Sequence, residues 1–417
     1  MNLSASSHDQ RARSRLLYLG FAFPPGFQAL HPGVNPAGHA FETQMLTALR
    51  PRLEIRSVGL LPFAVREAPR DADLASGVPH EILLEDRAPE IYFRWRSIRL
   101  LKQQYLRWVA AGWEPGLVLV YNLSPVYNHF VRWLRRQPKR PALVLLLLDS
   151  SQLGEPMPPL KRLRYRFKPL VVPDEAMIAE FDACIGLGRE SERYFAPRGV
   201  PFLWMPGACT PERAPRPATE TPIAGEPLCF GYFGALAPHA GVMDLVRVLL
   251  AEPLSARLEV CGYGKLSAAL GRLADGNPRL RFHGLLPAAS DVLRLARTWD
   301  VLVNPRPAVA GASNTFPSKL FEYALCGRAI LSTRLSGADT VLGDAGYFFD
   351  ERDFDRSLAA MLMQLAATPR AELHERGQRI RERITQEYSW QKQASRMASF
   401  LAAVNTSSRA GGSFRGS

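Results

Sequence analysis

The stretch from Asp300 to Thr333 restricts this chain more than any other, because its parts fit one arrangement. Val301 to Pro305 is an apolar run ending in a turn signal. From Ser318 the spacing becomes helical, with Leu320, Phe321, Tyr323 and Ala324 on one face and Gly327 as a stop. Ala329 to Thr333 is a second short apolar run. Strand, loop, helix, strand is a βαβ unit, and such units bind ligands at the carboxyl ends of their strands. The helix start offers backbone N–H groups and Lys319 adds a positive charge, a pair suited to an anionic group such as a diphosphate. Glu322 can accept from sugar hydroxyls. As a bland alternative, Lys319 and Glu322 form an i,i+3 pair on a solvated helix face.

Similar strand signals recur along the chain. Leu16 to Gly20, Leu53 to Val58, Leu117 to Tyr121, Ala142 to Asp149 and Ala183 to Leu187 precede Pro201 to Gly207 in the first half. The run from Ala142 is apolar throughout, as parallel strands buried on both faces are. Helical spacing occupies His39 to Leu49 and Ile98 to Ala111, the latter basic and amphipathic. Between the first strand and first helix lies a Gly/Pro-rich loop, which has neither Gly-x-Gly-x-x-Gly spacing nor a Walker lysine. Thr210 to Pro227 is Pro-rich and unpatterned, and reads as a linker.

The second half repeats the pattern. Leu228 to Gly234 is strand-like and opens into Ala235 to Val242. Arg257 to Gly264 ends in Gly262-Tyr263-Gly264, and Leu280 to Gly284 follows. Helices are expected over 291–299, 354–366 and 370–387, with a late strand at Gly346 to Phe349 and a last helix from Ser389-Trp390 to Ala403. The fold class is therefore α/β, with two doubly wound Rossmann-like domains facing across a cleft. The boundaries expected are a disordered leader over 1–14, a first domain over 15–209, the linker 210–227, a second domain over 228–387, a terminal helix over 388–404 crossing back, and a disordered tail over 405–417.

Pro317, Lys319, Glu322, Tyr323 and Gly327, followed by an apolar strand and Ser336-Gly337, resemble the donor site of GT-B-fold glycosyltransferases of the family 4 kind. The resemblance covers roughly 228–391 well and the first half only by pattern. It implies retaining transfer of a hexose from a nucleoside diphosphate-sugar, with Glu322 on the ribose and Lys319 on the diphosphate. In that family two glutamates stand eight positions apart. Here Glu322 is the second, and Asn314 replaces the first, which contacts the donor sugar. An arginine and a lysine that hold phosphates in the family are Ala235 and Ala240 here. Lys319 is then left with that role, assisted by His239 or Arg306. Gly33 and Gly38 match the family's first glycine loop; Gly234, Gly262 and Gly264 match its donor-domain loops; the nucleobase is expected near Leu286. Thr315, Phe316 and Leu320 complete the implied donor contacts. Where family members carry a histidine near the transferred sugar, this chain has Asn122, and Asp149 ends the next strand. Asn122, Asp149 and Lys319 are the expected catalytic residues.

No metal or other cofactor is expected, because the cleft motifs hold no Asp-x-Asp pair and the five cysteines (184, 209, 229, 261, 326) stand singly. Isolated cysteines also suit a reducing compartment. Net charge is +13, which favours anionic partners. Ten basic and two acidic residues lie between Arg132 and Lys168, and Leu160 to Val172 interleaves Lys and Arg with apolar residues. That segment suits an anionic bilayer or a solvated face, and no nucleic-acid module accompanies it. The expected setting is the cytoplasm, peripheral at the inner face of the plasma membrane, with a glycan or lipid-linked acceptor in bacterial polysaccharide or glycoconjugate synthesis. Two alternatives stay open: a non-catalytic binder of a nucleotide-sugar or partner transferase, which the four replaced positions favour, and a nucleotide-sugar epimerase, for which the sequence offers no convincing carboxylate or histidine pair.

Overall fold

The computed structural model describes residues 13–23, 36–60, 74, 77–83, 90–148, 177–214, 226–308 and 315–409. They fall into two compact units, one drawn from Met1–Gly186, Glu192–Trp204 and Ala394–Ser417, the other from Leu187–Ser191 and Met205–Gln393.

The first unit is a seven-stranded parallel sheet. Its strands are β1 (Arg15–Gly20), β2 (Glu54–Leu60), β3 (His80–Leu83), β4 (Leu117–Tyr121), β5 (Ala142–Leu147), β6 (Ala183–Gly186) and β7 (Phe202–Trp204). The order β3-β2-β1-β4-β5-β6-β7 reverses between β1 and β4. Helices α1 (Pro36–Leu49), α2 (Glu90–Ala110), α3 (Pro125–Arg135) and the single turn α4 (Glu192–Phe195) belong to this unit. All six residues of β5 are buried, as an uninterrupted apolar run requires in a sheet covered on both faces. Helix α3 starts where the sequence dictates: Ser124 is its N-cap, accepting from Tyr127 N at 3.3 Å, and Pro125 occupies the first turn. Strand β3 has no counterpart among the sequence expectations. It is a four-residue edge strand, too short to show a period.

The second unit is a six-stranded parallel sheet, ordered β10-β9-β8-β11-β12-β13. Its strands are β8 (Leu228–Ala235), β9 (Ala256–Tyr263), β10 (Leu280–Phe282), β11 (Val301–Asn304), β12 (Ala329–Thr333) and β13 (Tyr347–Phe349). Helices α5 (Val242–Ala251), α6 (Ser267–Asp275), α7 (Ala289–Ala296), α8 (Lys319–Leu325), α9 (Ala338–Leu342), α10 (Phe354–Ala367) and α11 (Arg370–Glu387) connect them. Here the order reverses between β8 and β11. Gly231 in β8 allows Trp299 to pack flat on the sheet, since a Cβ there would sit 1.9 Å from the indole. Glu259 is buried in β9, where His283 Nε2 at 2.8 Å, Trp299 Nε1 at 3.0 Å and Arg257 Nε at 3.1 Å all reach it. Burial pushes its pKa up, but these three donors bring it down to about 2.

The last helix, α12 (Trp390–Arg409), runs past Ala403 and into the segment expected to be a disordered tail. From Ala394 on it belongs to the first unit. Asn405 and Val404 are buried there, and that packing extends a helix whose polar end shows no periodic signal. Each of the five cysteines is a buried free thiol.

Candidate functional site

The reversal between β8 and β11 is a topological switch point, where parallel sheets open a crevice at their carboxyl ends. Gly234 is the penultimate residue of β8, Arg306 follows β11 by two residues, and Lys319 begins α8. A Cβ built on Gly234 would lie 3.6 Å from Lys319 Nζ, so the lysine stands directly over the end of β8.

Lys319 Nζ donates to Tyr232 Oη at 2.8 Å and sits 4.2 Å from the centroid of the tyrosine ring. Tyr232 is fully buried and gives its own proton to Ala235 O at 2.7 Å. The lysine as a whole remains partly exposed, but its ammonium lies deep among protein atoms. Desolvation, and then the positive Arg306, lower its pKa to about 7, against a smaller pull upward from Glu322. The Arg306 guanidinium donates to Thr315 through both the backbone oxygen (3.3 Å) and Oγ1. Thr333 Oγ1 in turn donates to Arg306 O at 3.1 Å. Arg306 thus anchors the segment entering α8 while adding its charge to the site.

Glu322 is one turn further on. It is accessible to water yet flanked by protein, which raises its carboxyl pKa, while Arg213 and, to a smaller degree, Lys319 pull it down. Arg213 lies in the short turn Pro211–Arg213, inside the stretch read from sequence as a linker. Behind Glu322, Tyr323 fixes the helix to the sheet. Its hydroxyl accepts from Phe233 N at 3.2 Å and donates to Phe233 O at 3.0 Å. Tyr323 belongs to the sequence motif without an expected ligand contact, and Tyr232 and Arg213 were not among the residues expected at the site. The tyrosines look like ordinary core aromatics in sequence, and nothing local announces where Arg213 ends up.

Two glycines permit the close approach of loops here. Gly262 has φ +152° and a Cβ on it would meet Gly234 O at 2.0 Å; Gly241 has φ +74° and its Cβ would meet Pro305 O at 1.7 Å. Gly264 follows Gly262 at the end of β9, with φ +157°. Together they keep the ends of β8, β9 and β11 free of side-chain bulk around the lysine.

The side chains of Leu320 and Phe316 are buried, Phe316 against Phe321 at 5.4 Å between centroids, so both serve the core. The helix begins at Lys319, not Ser318. Leu320 N and Phe321 N already donate to Pro317 O (3.0 Å) and Ser318 O (3.1 Å), so these two N–H groups are spent in the turn. His239 is exposed in the turn Pro238–Ala240, and Leu286 is partly exposed beyond β10. Ala235 is exposed beside the site, whereas Ala240 is part of the core.

In the first unit, Gly38 lies in α1, and Gly33 is outside the described residues. Asn122 ends β4 at the other switch point with φ +52°, a left-handed conformation that asparagine tolerates. Its Oδ1 accepts from Leu148 N at 2.8 Å, tying β4 to the end of β5. Asp149 and Asn314 lie outside the described residues. Among the described residues no cluster of three His, Cys, Asp or Glu side chains is placed to hold a metal ion. Nor is any helix there long and apolar enough to cross a membrane.

Residues 228–368 match the family described as glycosyl transferases group 1, so the second unit carries a domain of that glycosyltransferase class. The architecture of two Rossmann-like domains is that of the GT-B glycosyltransferases. Sucrose-phosphate synthase from Thermosynechococcus elongatus superposes with a TM-score of 0.67 at 13% identity, over 95% of this chain and 100% of that one. The apo lipopolysaccharide outer core galactosyltransferase WaaB gives 0.64 at 13% identity, over 93% and 99%. Anabaena Alr3699/HepE in complex with UDP and glucose gives 0.61 at 14% identity, over 94% and 100%. In sequence, the chain is 29% identical over 170 residues to the GDP-mannose-dependent alpha-(1-6)-phosphatidylinositol dimannoside mannosyltransferase of Mycobacterium tuberculosis. That match spans 40% of this chain and 42% of the relative's length.

Proposed function

We propose that this protein transfers a hexose, with retention, from a nucleoside diphosphate-sugar to a glycan or lipid-linked acceptor in bacterial polysaccharide or glycoconjugate synthesis. The observation that carries the reading is the Lys319 ammonium, held on Tyr232 at the β8–β11 switch point with Glu322 one turn away. A cation fixed in partly desolvated surroundings stabilises charge growing on a leaving diphosphate, and does so without reorganising. Glu322 orients the nucleotide ribose through its hydroxyls, and Gly262 and Gly264 let the donor approach the backbone. The donor's own phosphate oxygen takes the acceptor proton in this scheme, since Asn122 has no acid–base chemistry. No metal or other cofactor is part of it. The mannosyltransferase relative makes GDP-mannose the first donor to test.

A second reading is a GT-B protein that binds a nucleotide-sugar or partner transferase without turnover. Ala235, exposed where the family carries a phosphate-binding arginine, favours it. An epimerase is less well supported, because the His283–Glu259 pair is spent inside β9 on Trp299 and Arg257.

A calorimetric and thermal-shift screen of UDP, GDP and their common sugar conjugates, repeated on Glu322→Ala, tests the assignment. Binding that stabilises the fold by mass action and disappears in the variant is expected. Slow hydrolysis of the bound conjugate selects the transferase over the binder. No nucleotide binding at all refutes the donor site, and with it both the transferase and the nucleotide-sugar binder.

A further inference from the structure

In the basic stretch 132–172, Arg132 pairs with Glu180 at 3.1 Å, Arg135 with Asp182 at 3.0 Å and Arg140 with Asp182 at 2.6 Å, while residues 149–176 lie outside the described residues. Arg328 in the second unit is different. It lies in the turn from α8 into β12 and is only 6% exposed, yet its guanidinium makes no hydrogen bond or ion pair among the described residues. A guanidinium carries five donors, and a desolvated charge without an acceptor is costly. A buried polar group in that state marks a place where an acceptor is supplied from outside.

The surroundings are cationic. Val301 pairs with Ala329 in the β11–β12 register, so Asp300 and Arg328 stand side by side at the amino ends of these strands. Asp300 is already engaged: its Oδ2 accepts from Cys229 N at 2.8 Å and its Oδ1 from Arg370 Nε at 3.1 Å. Helix α11 lies directly against the turn, since a Cβ on Gly377 would sit 2.5 Å from the carbonyl carbon of Arg328. His374 is one turn before Gly377, and Arg370 one turn before His374, so the three share a face of α11. Arg297 is the C-cap of α7. Its charge and that of Arg328 both reach His374, whose pKa is lowered by desolvation first and then by these two arginines. Desolvation also lowers the pKa of Arg328, with Asp300 opposing and Arg297 adding to it. His374 is exposed, so the cluster opens to solvent on the α11 side.

A cation after a helix commonly donates to that helix's last carbonyls. Arg328 gives them nothing, and Gly327 O is taken by Gln378 Nε2 at 3.1 Å. We propose that Arg328, together with Arg297 and His374, forms a binding site for a phosphate group at the amino ends of β11 and β12. A guanidinium fork can give a tetrahedral oxyanion two parallel N–H bonds, and a neutral apolar ligand would leave those donors unmet. Arg297 has further interactions of its own, so the site rests on Arg328. Free phosphate and the phosphate of an ester share this chemistry. Lys319 and Arg306 stand at the opposite, carboxyl ends of the strands, about 13 Å away by the length of β11. The site is therefore distinct from the donor crevice and does not depend on how that crevice is read.

The test follows thermal unfolding of the full chain carrying Lys319→Ala, which removes the cation of the donor crevice. Inorganic phosphate is compared with sodium chloride at equal ionic strength. Phosphate is expected to raise Tm by roughly 3 °C or more at about ten times its Kd. Adding Arg328→Met should abolish that rise. It should also leave Tm in phosphate-free buffer unchanged or higher, because it removes a desolvated charge that has no partner. His374→Glu, at an exposed position, keeps Arg328 and offers it a carboxylate in place of the anion; it too should abolish the rise. Glycerol phosphate acting at lower concentration than inorganic phosphate identifies an ester as the ligand, and the reverse order identifies free phosphate. No rise beyond that of chloride, or the same rise in the parent and both variants, overturns the proposal.

Discussion

The ammonium of Lys319 is held from below by the Tyr232 phenol, whose O–H donates to Ala235 O and whose oxygen accepts from Lys319 Nζ at 2.8 Å. An ammonium has three donors, so about two stay available for an incoming anion in a fixed orientation. Tyr232→Phe keeps the ring under the cation and removes the acceptor. Affinity for a nucleoside diphosphate is expected to fall roughly five- to twentyfold, a loss of about 1–2 kcal/mol. Calorimetry on parent and variant measures it, and equal affinities would remove Tyr232 from the site.

The same lysine sets a pH dependence. Its folded pKa of about 7 lies below the ordinary 10.5, so near pH 8 the free site is mostly neutral. A bound anion favours the charged form, so binding takes up a proton above pH 7. Affinity is expected to be greatest below pH 7 and to weaken by up to about tenfold per pH unit above it. For the fold itself the sign is opposite: between those two pKa values the unfolded chain holds the proton, so stability rises with pH. Titrations in buffers of different ionisation enthalpy read the proton uptake directly, and none at pH 8 would contradict the buried ammonium.

Lys319→Ala removes the charge altogether. In a transferase this should lower kcat by roughly 10²–10³, the usual cost of losing one preorganised group that meets developing charge. Single-turnover kinetics separates that from weaker binding. Near-normal turnover would sink the assignment.

Tyr323→Phe tests the bolt between α8 and β8. Removing the hydroxyl strands Phe233 N in the core, and about 1–3 kcal/mol of stability in the second unit should go with it. Urea unfolding followed in the presence and absence of nucleotide gives the number.

In the first unit the informative group is Glu42 on α1. Its Oε2 accepts from Tyr18 Oη at 2.6 Å and Phe21 N at 2.8 Å, and it is 1% exposed. Burial raises its pKa from 4.5 to about 7, although Tyr18, Phe21 and Ala22 donate to it. The unfolded chain ionises first, so stability should decline as pH rises across that window. Glu42→Gln keeps the acceptor without the charge. It should flatten the decline and stabilise the protein at pH 8 by about 1–3 kcal/mol, visible as a higher Tm.

Much of the fold was legible because parallel strands covered on both faces are nearly continuous apolar runs. Val301 to Asn304, Ala329 to Thr333 and Ala142 to Leu147 needed no partner to be recognised. Helix α8 was legible for a related reason: Leu320, Phe321, Tyr323 and Ala324 mark its buried face, which leaves Lys319 and Glu322 on the other. The environment of each residue was not legible in the same way. The side chains of Phe316 and Leu320, named with the donor contacts, are buried, since sequence gives the face of an element but not what lies opposite it.

The sequence by itself determined that this chain is α/β and parallel, and that Lys319, Glu322 and the glycines of Gly262-Tyr263-Gly264 stand at strand ends, because hydrophobic period and turn chemistry are local. The tertiary structure alone decided which groups meet there. Tyr232 lies 87 positions before Lys319, and Arg213 acts on Glu322 from a supposed linker. It also decided that Arg132, Arg135 and Arg140 are paired, since pairing depends on where Glu180 and Asp182 come to rest. Electrostatics acts through space over a few ångströms, and only the packed chain sets those distances.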